Sequence, residues 1–299
     1  MRVHPGRSSS TARLIACCTL LAASDPVRLA LVPPGAEALL AALLAADGNG
    51  GWFNFALRHA WTRATLGALE RLTLPGIITH YLARKRWIEA MTRQALDRGV
   101  TQFVVLGAGF DTLAWRLHRE LPAVHFFELD HPATQSPKQR ALGAAVNLTF
   151  LPVDLAEDSP AAALRACPAF SPTKATLFIA EGLLMYFPET RVAALLRELA
   201  VLTRPPVEML FSFMAQASDG SISFRREHAA VGWWLRWRDE PFQWGIACAA
   251  LPDFLRRGGL QLAALADHDV LRTEILAPLG LAGVTLARGE CLCHCLSPA

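Results

Sequence analysis

An apolar run followed by a turn with two glycines constrains the fold of this chain more than any other feature. Residues 103–106 read Phe-Val-Val-Leu, and residues 107–112 read Gly-Ala-Gly-Phe-Asp-Thr. A continuous apolar run of this kind is typical of a parallel strand that is covered on both faces. Glycines allow a tight turn and leave room for a close approach to the backbone. The stretch therefore predicts a buried strand, a ligand-binding turn and a helix that Asp111 or Thr112 can cap.

Two classes of nucleotide ligand use a glycine-rich turn of this kind. A dinucleotide prefers G-x-G-x-x-G, and here Thr112 takes the place of the third glycine. Asp111 also brings a carboxylate to the position that a pyrophosphate would take. S-adenosylmethionine (SAM) has no phosphate and carries an ammonium and a sulfonium, so this acid favours SAM over NAD. Two glycines also occur in turns with a purely structural role, and the turn alone leaves that alternative open.

The order of the apolar runs predicts an α/β fold. Strands are predicted at residues 102–106, 124–129, 147–151, 176–180, 207–213, 260–265 and 281–296, with helices between most of them. Strands that alternate with helices form a parallel sheet with helices on both faces. In such a sheet, ligands bind beyond the carboxyl ends of the strands.

We predict a single domain over residues 1–299, because no repeat or low-complexity linker divides the chain. Residues 1–98 are expected to form N-terminal helices, and residues 100–214 the ligand-binding core. Residues 215–250, here called the cap segment, interrupt the alternation with a Trp- and Arg-rich stretch. We interpret it as a helical insertion over the site, although a helix packed on the domain would show similar patterning. Residues 251–299 would complete the sheet.

Charge and hydropathy narrow the range of partners. The net charge is +3 and there is no basic stripe, so a nucleic-acid partner is not expected. No apolar run reaches the ~20 residues of a membrane span, so a membrane partner is not expected either. Residues 14–23 resemble a short signal peptide, but we favour an amphipathic helix capped within residues 9–11.

The seven cysteines indicate a reducing compartment. Their number is odd and their spacing is unlike that of a disulfide framework, which favours a cytoplasmic location. In a strand, Cys291, Cys293 and Cys295 would share one face and His294 would point to the other. The spacing is shorter than that of usual zinc ligands, so small apolar cysteines are expected rather than a metal site.

Acidic residues follow three successive strands, and the first group lies after the second strand. Asp130 comes about twenty residues after Gly109, the spacing at which a carboxylate reaches ribose hydroxyls. Glu128 is the alternative if the strand ends earlier. A single acid at a strand end is commonly a cap, but acids at successive strand ends are hard to assign to capping alone.

The next two strand ends add groups that suit the other parts of SAM. Asp154 can accept a hydrogen bond from the adenine amino group, and Leu155 can pack on the ring. Glu181 would lie near the amino-acid end or the sulfonium, and the aromatic face of Tyr186 would favour a cation. Together with the turn, these residues predict a SAM site at one edge of the sheet.

In combination, these residues resemble the leucine carboxyl methyltransferase family, in its bacterial class I SAM-dependent branch. The matching motifs span most of the chain: GAGFDT at 107–112, WRL at 115–117, ELDHP at 128–132, DL at 154–155, EGLLMY at 181–186, STA at 10–12, VPPG at 32–35 and EPFQWG at 240–245. The resemblance implies a seven-stranded Rossmann-like sheet with an antiparallel last strand and an N-terminal helical layer. It also implies SAM as the cofactor, with contacts from the turn residues Gly107, Ala108, Gly109 and Asp111.

The resemblance further implies an arginine one helix before the turn that holds the SAM carboxylate. Arg84 is the first candidate, because a guanidinium can grip a carboxylate through two parallel hydrogen bonds. Arg86 is the second, because the register of the Arg84-Lys85-Arg86 run is open by a residue or two. A solvated basic helix face is the alternative without a binding role.

The expected activity is O-methylation of a small molecule, with a carboxylate acceptor favoured over a hydroxyl. A carboxylate needs no general base, so catalysis is largely positioning in a dry pocket, with Glu181 and Tyr186 as the catalytic candidates. A hydroxyl acceptor would need a base, for which His131, His228 and Tyr186 are candidates.

Other possibilities stay open at this point. Arginines of the cap segment would suit an anionic substrate; these are Arg225, Arg226, Arg236 and Arg238. The alternative functions are an NAD(P)-dependent oxidoreductase and a SAM-binding protein without turnover. The sequence predicts neither the acceptor nor the oligomeric state.

Overall fold

A computed structural model describes residues 9–48, 57, 59–225, 227–228, 231–232 and 240–298. The helices in these ranges are α1 Ser10–Ala23, α2 Ala36–Ala46, α3 Ala60–Thr73, α4 Ile77–Asp97, α5 Leu113–Glu120, α6 Pro132–Leu142, α7 Pro160–Ala166, α8 Glu189–Ala200, α9 Leu251–Arg257 and α10 His268–Leu271. The strands are β1 Gln102–Leu106, β2 His125–Asp130, β3 Leu148–Pro152, β4 Thr176–Ala180, β5 Glu208–Ala215, β6 Gly245–Ile246, β7 Gln261–Ala266 and β8 Glu290–Leu296.

Seven of the strands form one continuous path in the order β3-β2-β1-β4-β5-β8-β7, and the short β6 pairs with β5 beside that path. The pairs from β3 to β5 are parallel, whereas β8 runs antiparallel to both β5 and β7. The first parallel strand therefore lies in the middle of the sheet, and the Gly turn lies at its carboxyl end. This α/β arrangement confirms the predicted sheet and its antiparallel last strand.

The sheet separates two hydrophobic cores, and alternate residues of β1 belong to different cores. Phe103 and Val105 pack with the layer that contains α4 and α5. Val104 and Leu106 pack with the layer that contains α7, α8 and α9. Successive side chains of a strand point to opposite faces, so a continuous apolar run requires helices on both sides.

A third, smaller core joins the N-terminal helices to the Gly turn. Leu20 of α1 and Leu40, Leu43 and Leu44 of α2 cluster with Phe110, and all five are buried. The N-terminal helical layer therefore packs directly over the turn. Every helix in the described ranges is too short or too polar to span a bilayer.

The predicted last strand differs from the structure in its first residue. The last strand starts at Glu290 and not near residue 281, because the preceding residues form irregular chain. Gly289 has φ +130°, and a Cβ there would lie 2.7 Å from the carbonyl oxygen of Ser223. Before this strand lies α10, where the Asp267 side chain accepts from the backbone N–H groups of Asp269 and Val270.

The cap segment is described only in part, and its predicted tryptophan-rich helix lies mostly outside the described residues. The same holds for Arg226, Arg236 and Arg238, whereas Arg225 is described and exposed. The described part returns to the body at Gln243 and Trp244, whose backbone N–H groups donate to the Met185 carbonyl at 2.7 and 3.2 Å.

The predicted packing of the last strand is confirmed. Cys291, Cys293 and Cys295 are buried together in the core on one face of β8. His294 points to the opposite face and contacts Glu208 of β5, with 3.1 Å between Nε2 and Oε2. Among the described residues, no group of His, Cys, Asp and Glu side chains is arranged to hold a metal ion.

Glu208 is a buried carboxylate that depends on two partners at the amino end of β5. Arg98 donates to its two oxygens at 2.9 and 2.5 Å, and His294 contacts it from β8. Burial acts to raise the pKa of Glu208, but Arg98 and His294 outweigh it and lower the pKa to about 2. A carboxyl with a lowered pKa stabilises the fold above its ordinary pKa and loses that contribution as the pH falls.

We therefore predict that Glu208→Gln lowers the unfolding free energy at pH 7, and that the deficit shrinks as the pH falls from about 4.5 towards about 2. The reason is that acid protonates the wild-type carboxyl and removes the same interaction. Urea denaturation at a series of pH values measures the difference between the two proteins. A deficit that stays constant across this range would contradict the prediction.

Candidate functional site

A cleft lies at the carboxyl end of the parallel strands, and the predicted site residues converge on it. The space enclosed by its walls and mouth is about 1140 Å³, counting the part that is open to solvent. One wall comes from the strand ends, and the opposite wall comes from α1 and the start of α2. The residues on the N-terminal wall are Ser9, Thr11, Ala12, Ile15, Ala16, Thr19, Pro33, Ala36 and Leu40.

The glycines of the turn allow other parts of the chain to pack against it. Gly107 has φ +64°, and a Cβ there would lie 2.8 Å from Cδ1 of Leu183. Gly109 has φ +49°, and a Cβ there would lie 3.1 Å from Cβ of Ala12 on α1. Leu183 and Ala12 both line the cleft. The glycines therefore bring the two walls of the cleft together around the turn.

Four charged side chains form an alternating row along the cleft. Arg84 on α4 donates from Nε to Glu181 Oε1 at 2.9 Å, and Glu181 follows directly after β4. Lys85 lies beside Arg84, with its Nζ 3.1 Å from Glu181 Oε1 and 2.8 Å from Asp111 Oδ1. All four residues line the cleft. This surface can therefore bind a ligand that carries both an anionic and a cationic group.

Asp111 stays ionised in this row. Burial acts to raise its pKa, but Lys85, Lys138 and Arg116 outweigh burial and hold the pKa of Asp111 well below its usual range. Its second oxygen accepts from the backbone N–H of Leu113 at 3.2 Å, which caps α5. Asp111 thus has the capping role that the sequence predicts and also contributes a negative charge to the cleft.

Behind the row lies a third carboxylate, that of Glu290, which is the first residue of β8. Arg84 Nη1 donates to both of its oxygens at 2.8 Å. His80, one turn earlier on α4, contacts Oε2 through Nε2 at 2.8 Å. Glu290 and His80 are buried and do not line the cleft. Burial acts to raise the pKa of Glu290, yet Arg84 and His80 lower it to about 2.

Asp130 and the Asp154-Leu155 pair form the other end of the cleft. Asp130 ends β2 and accepts hydrogen bonds from the backbone N–H of Gly109 and, at 2.6 Å, from that of His131. Burial raises the pKa of Asp130, and the two backbone donors act in the opposite direction. Asp154 follows β3, where its Oδ1 accepts from Ala156 N at 3.0 Å, and Leu155 is buried beside it.

Comparison with known proteins identifies the family. The sequence profile of the leucine carboxyl methyltransferase family matches residues 25–200. The chain belongs to this family. A Mycobacterium tuberculosis protein provisionally named an S-adenosyl-L-methionine-dependent methyltransferase is 29% identical over 261 residues, covering 75% of this chain and 81% of its own. A Mycolicibacterium gilvum protein with the same provisional name is 33% identical over 209 residues, covering 66% of this chain and 62% of its own.

A solved structure supports the fold independently. A protein from Thermobifida fusca, provisionally described as a methyltransferase, superposes with a TM-score of 0.59 and 13% sequence identity. The match covers 86% of this chain and 92% of the other. The predicted family and the class I methyltransferase fold are thus confirmed, and membership of a methyltransferase family argues against the NAD(P)-dependent alternative.

Two residues predicted to bind the cofactor lie outside the cleft of this family member. Arg86 does not line it, because successive helical residues point about 100° apart and Arg84 and Lys85 already face the ligand side. Glu128 is buried two residues before the end of β2 and pairs with Lys138 of α6 at 2.6 Å. Burial raises the pKa of Glu128 to about 7, although Lys138 partly offsets this.

The remaining predicted site residues all line the cleft; these are Arg84, Gly107, Ala108, Gly109, Asp111, Asp130, Asp154, Leu155, Glu181 and Tyr186. His131, a candidate base, also lines it, and its Nδ1 accepts from the backbone N–H of Ala133 at 3.2 Å. His228 does not line it.

One connection joins three motifs that are far apart in the sequence. The buried carboxylate of Glu240 accepts from Ser9 Oγ and from the backbone N–H of Thr11, both at 3.2 Å. The Thr11 hydroxyl also donates to Glu240 and contacts the side chain of Tyr186. The start of α1 is thereby joined by hydrogen bonds to the cap segment and to the wall of the cleft.

Lys85 and Glu290 are the site residues that the sequence reasoning missed. Lys85 lies between the two candidate arginines, and its sequence position alone predicts no separate role for it. Glu290 is the one acidic residue in an otherwise apolar and cysteine-rich strand. A buried acid requires a partner, so its position in the strand was a signal that a cation lies opposite.

We predict that Gly107→Ala is more destabilising than Gly280→Ala. Both glycines have positive φ, +64° and +73°, but nothing lies within 4 Å of a Cβ at Gly280. The backbone strain at Gly280 should cost about 1 kcal/mol of unfolding free energy. Displacement of Leu183 should add about 1–3 kcal/mol at Gly107. Urea denaturation of both variants gives the comparison, and equal losses would rule out the close contact with Leu183.

Proposed function

We propose that this protein transfers the methyl group of SAM to an oxygen of a small-molecule acceptor, with a carboxylate oxygen favoured. The observation that carries the proposal is the alternating row of Arg84, Glu181, Lys85 and Asp111 in the cleft beside the glycine turn. Family membership and the class I fold support methyl transfer from SAM as the general reaction.

The donors and acceptors in the cleft fit the amino-acid end of SAM. That end carries a carboxylate and an ammonium, and the row offers two cations and two carboxylates. With Glu290 included and His80 not counted, the cluster contains three carboxylates and two cations. The carboxylates are those of Glu181, Asp111 and Glu290, and the cations are Arg84 and Lys85. The excess of negative charge suits a ligand with a sulfonium and disfavours the pyrophosphate of a dinucleotide.

Each part of SAM has a counterpart among the cleft residues. Arg84 and Lys85 are assigned to the carboxylate, and Glu181 and Asp111 to the ammonium. Asp130 is assigned to the ribose hydroxyls, because a carboxylate can accept a hydrogen bond from each of the two hydroxyl groups. The adenine contacts are assigned to Asp154, through the amino group, and to Leu155, through the ring.

SAM, when bound, would supply an activated methyl group: as an acceptor oxygen bonds to the methyl carbon, the carbon–sulfur bond breaks and S-adenosylhomocysteine leaves as a neutral thioether. The protein's part is to bind, to orient and to exclude water. The wall formed by α1 and α2 suits water exclusion, since Ile15, Ala16, Pro33 and Leu40 present apolar surface to the cleft. Tyr186 lies on the facing wall with its ring 5.7 Å from that of Phe242.

A carboxylate acceptor is favoured because none of the three candidate bases that line the described cleft is prepared to take a proton. His131 accepts from Ala133 N through Nδ1, so its neutral ring carries the proton on Nε2. Burial raises the pKa of Tyr186 above its usual value, so its hydroxyl keeps its proton at neutral pH. The oxygens of Glu181 already accept from Arg84 and Lys85. A carboxylate is nucleophilic without proton removal, whereas a hydroxyl is not. We assign Tyr186 and Glu181 to orienting groups near the methyl position.

We place the reaction in the cytoplasm. All seven cysteines are free thiols, and Cys293 and Cys295 lie in the core, which fits a reducing compartment.

We predict methyl transfer from labelled SAM to carboxylic acids, with little or no transfer to the corresponding alcohols. The physical reason is that only the acid is ionised without a base. A library of matched acid and alcohol pairs, with counting of the labelled product, measures this. Transfer to amines or carbon nucleophiles alone would contradict O-methylation, and SAM binding without transfer to any acceptor would favour a protein without turnover.

We predict that Arg84→Ala weakens SAM binding by about 1.5–3 kcal/mol, the range for a hydrogen bond to a charged group. Arg86→Ala is the matched control, because Arg86 is on the same helix but does not line the cleft. Isothermal titration of SAM into both variants and the wild type measures the effect. If Arg86→Ala loses as much affinity as Arg84→Ala, the assignment of the carboxylate to Arg84 is wrong.

A further inference from the structure

Glu290 is a buried carboxylate whose partners lie on another part of the fold. It stands at the first position of β8 and is 2% exposed. Arg84 Nη1 donates to both of its oxygens, and His80 contacts Oε2. Removing a carboxylate from water is expensive unless such partners compensate for it. The buried position of Glu290 therefore depends on its hydrogen bonds with Arg84 and His80.

The contacts divide the guanidinium of Arg84 into two sides. Nη1 is directed to Glu290, behind the cleft, at 2.8 Å. Nε and Nη2 are directed to Glu181, which lines the cleft, at 2.9 Å. A guanidinium is planar and its donors are fixed in that plane, so holding one side sets the direction of the other. Glu290 thereby orients the side of Arg84 that faces the cleft.

We propose that Glu290 is a positioning residue for cofactor binding, which holds the Arg84 guanidinium in the orientation that receives the carboxylate of SAM. The inference rests on the proposed function and goes beyond it, because Glu290 itself does not line the cleft. When a ligand carboxylate competes with Glu181 for Nε and Nη2, Glu290 keeps Nη1 in place. Without that anchor, the guanidinium is free to rotate out of the orientation that presents Nε and Nη2 to the cleft.

The neighbouring groups support a role in orientation. Gly182 has φ +61°, and its Cβ position lies 3.5 Å from Nη2 of Arg84, so the backbone after β4 passes close to the guanidinium. Ser212 of β5 accepts from the backbone N–H of Gly182 at 2.8 Å. The chain around Arg84 is therefore fixed by β4, β5 and β8 together.

The fold contains a matched control for Glu290. Glu208 of β5 is also a buried carboxylate that pairs with one arginine and one histidine. Arg98 follows α4 directly, and His294 lies on β8. The pairing register places Glu208 opposite Leu296 and Glu290 opposite Met214, so the two acids lie at opposite ends of this strand pair. Glu208 does not line the cleft, and neither do its partners Arg98 and His294.

The test compares two ligands that differ in one group. S-adenosylhomocysteine has the carboxylate of SAM, and S-adenosyl-3-thiopropylamine is the same molecule without it. Isothermal titration gives the affinity of both for the wild type, Glu290→Gln and Glu208→Gln. We expect Glu290→Gln to weaken S-adenosylhomocysteine by about tenfold or more, the size of one charge-assisted hydrogen bond. It should weaken the amine analogue by less than about twofold, and Glu208→Gln should weaken both by less than about twofold.

The outcomes separate the positioning role from the cofactor assignment. If the wild type binds S-adenosylhomocysteine but Glu290→Gln loses nothing, or loses affinity equally for both ligands, the positioning role is overturned and the proposed function stands. If the wild type binds neither ligand, the proposed function fails and the positioning role fails with it. Should Glu290→Gln not fold, Glu290→Asp keeps the charge but draws it back by one methylene. Glu290→Asp should show the same selective loss of affinity for S-adenosylhomocysteine. If it does not, the positioning role is overturned as well.

Discussion

The two ion pairs that the buried Arg84 guanidinium forms with carboxylates are the interactions on which the site depends. Glu181 approaches from the end of β4 and Glu290 from the start of β8, while Arg84 itself comes from α4. A buried cation of this kind is tolerable only when its donors are satisfied, so the three elements must keep their relative positions. Lys85 and Asp111 extend the same row to the Gly turn. The charge pattern of the cleft and the packing of the sheet are therefore set by one network.

A buried glutamate paired with an arginine and a histidine occurs at both ends of β5, but only one of the two clusters lies beside the cleft. At the amino end of β5, Glu208 pairs with Arg98 and His294, and both the acid and its partners lie away from the cleft. At the carboxyl end, Glu290 pairs with Arg84, whose other side faces the cleft. In parallel α/β sheets, ligands bind beyond the carboxyl ends of the strands, where the loops diverge. Of these two buried Glu-Arg pairs, the Glu290–Arg84 pair lies at that end of the strands, beside the cleft.

The second wall of the cleft explains why motifs far apart in sequence belong to one site. Ser9 is the N-cap of α1 and Thr11 lies in its first turn. Their partner Glu240 lies in the cap segment, more than two hundred residues later. A helix N-terminus favours a carboxylate, because its first N–H groups have no partner within the helix. The Thr11 hydroxyl also reaches Tyr186 across the cleft. The N-terminal layer is in this way part of the site and more than a cover for the sheet.

Local pattern by itself determined the parallel strands β1 to β5, the Gly turn and the acids at the strand ends, because hydrophobic periodicity and chain order dictate which strand ends meet at one edge of a parallel sheet. It missed the short β6 and began the last strand too early. It did not decide which side chains face the cleft. Arg86 and Glu128 fit the sequence motifs as well as their neighbours do. In the structure, however, Arg86 points to another side of its helix, and Glu128 is buried in an ion pair with Lys138. The partnership of Glu290 with Arg84 was also beyond local pattern, since it joins residues 206 positions apart. Only tertiary structure, through the pairing of β5 with the antiparallel β8, brings that carboxylate behind the guanidinium.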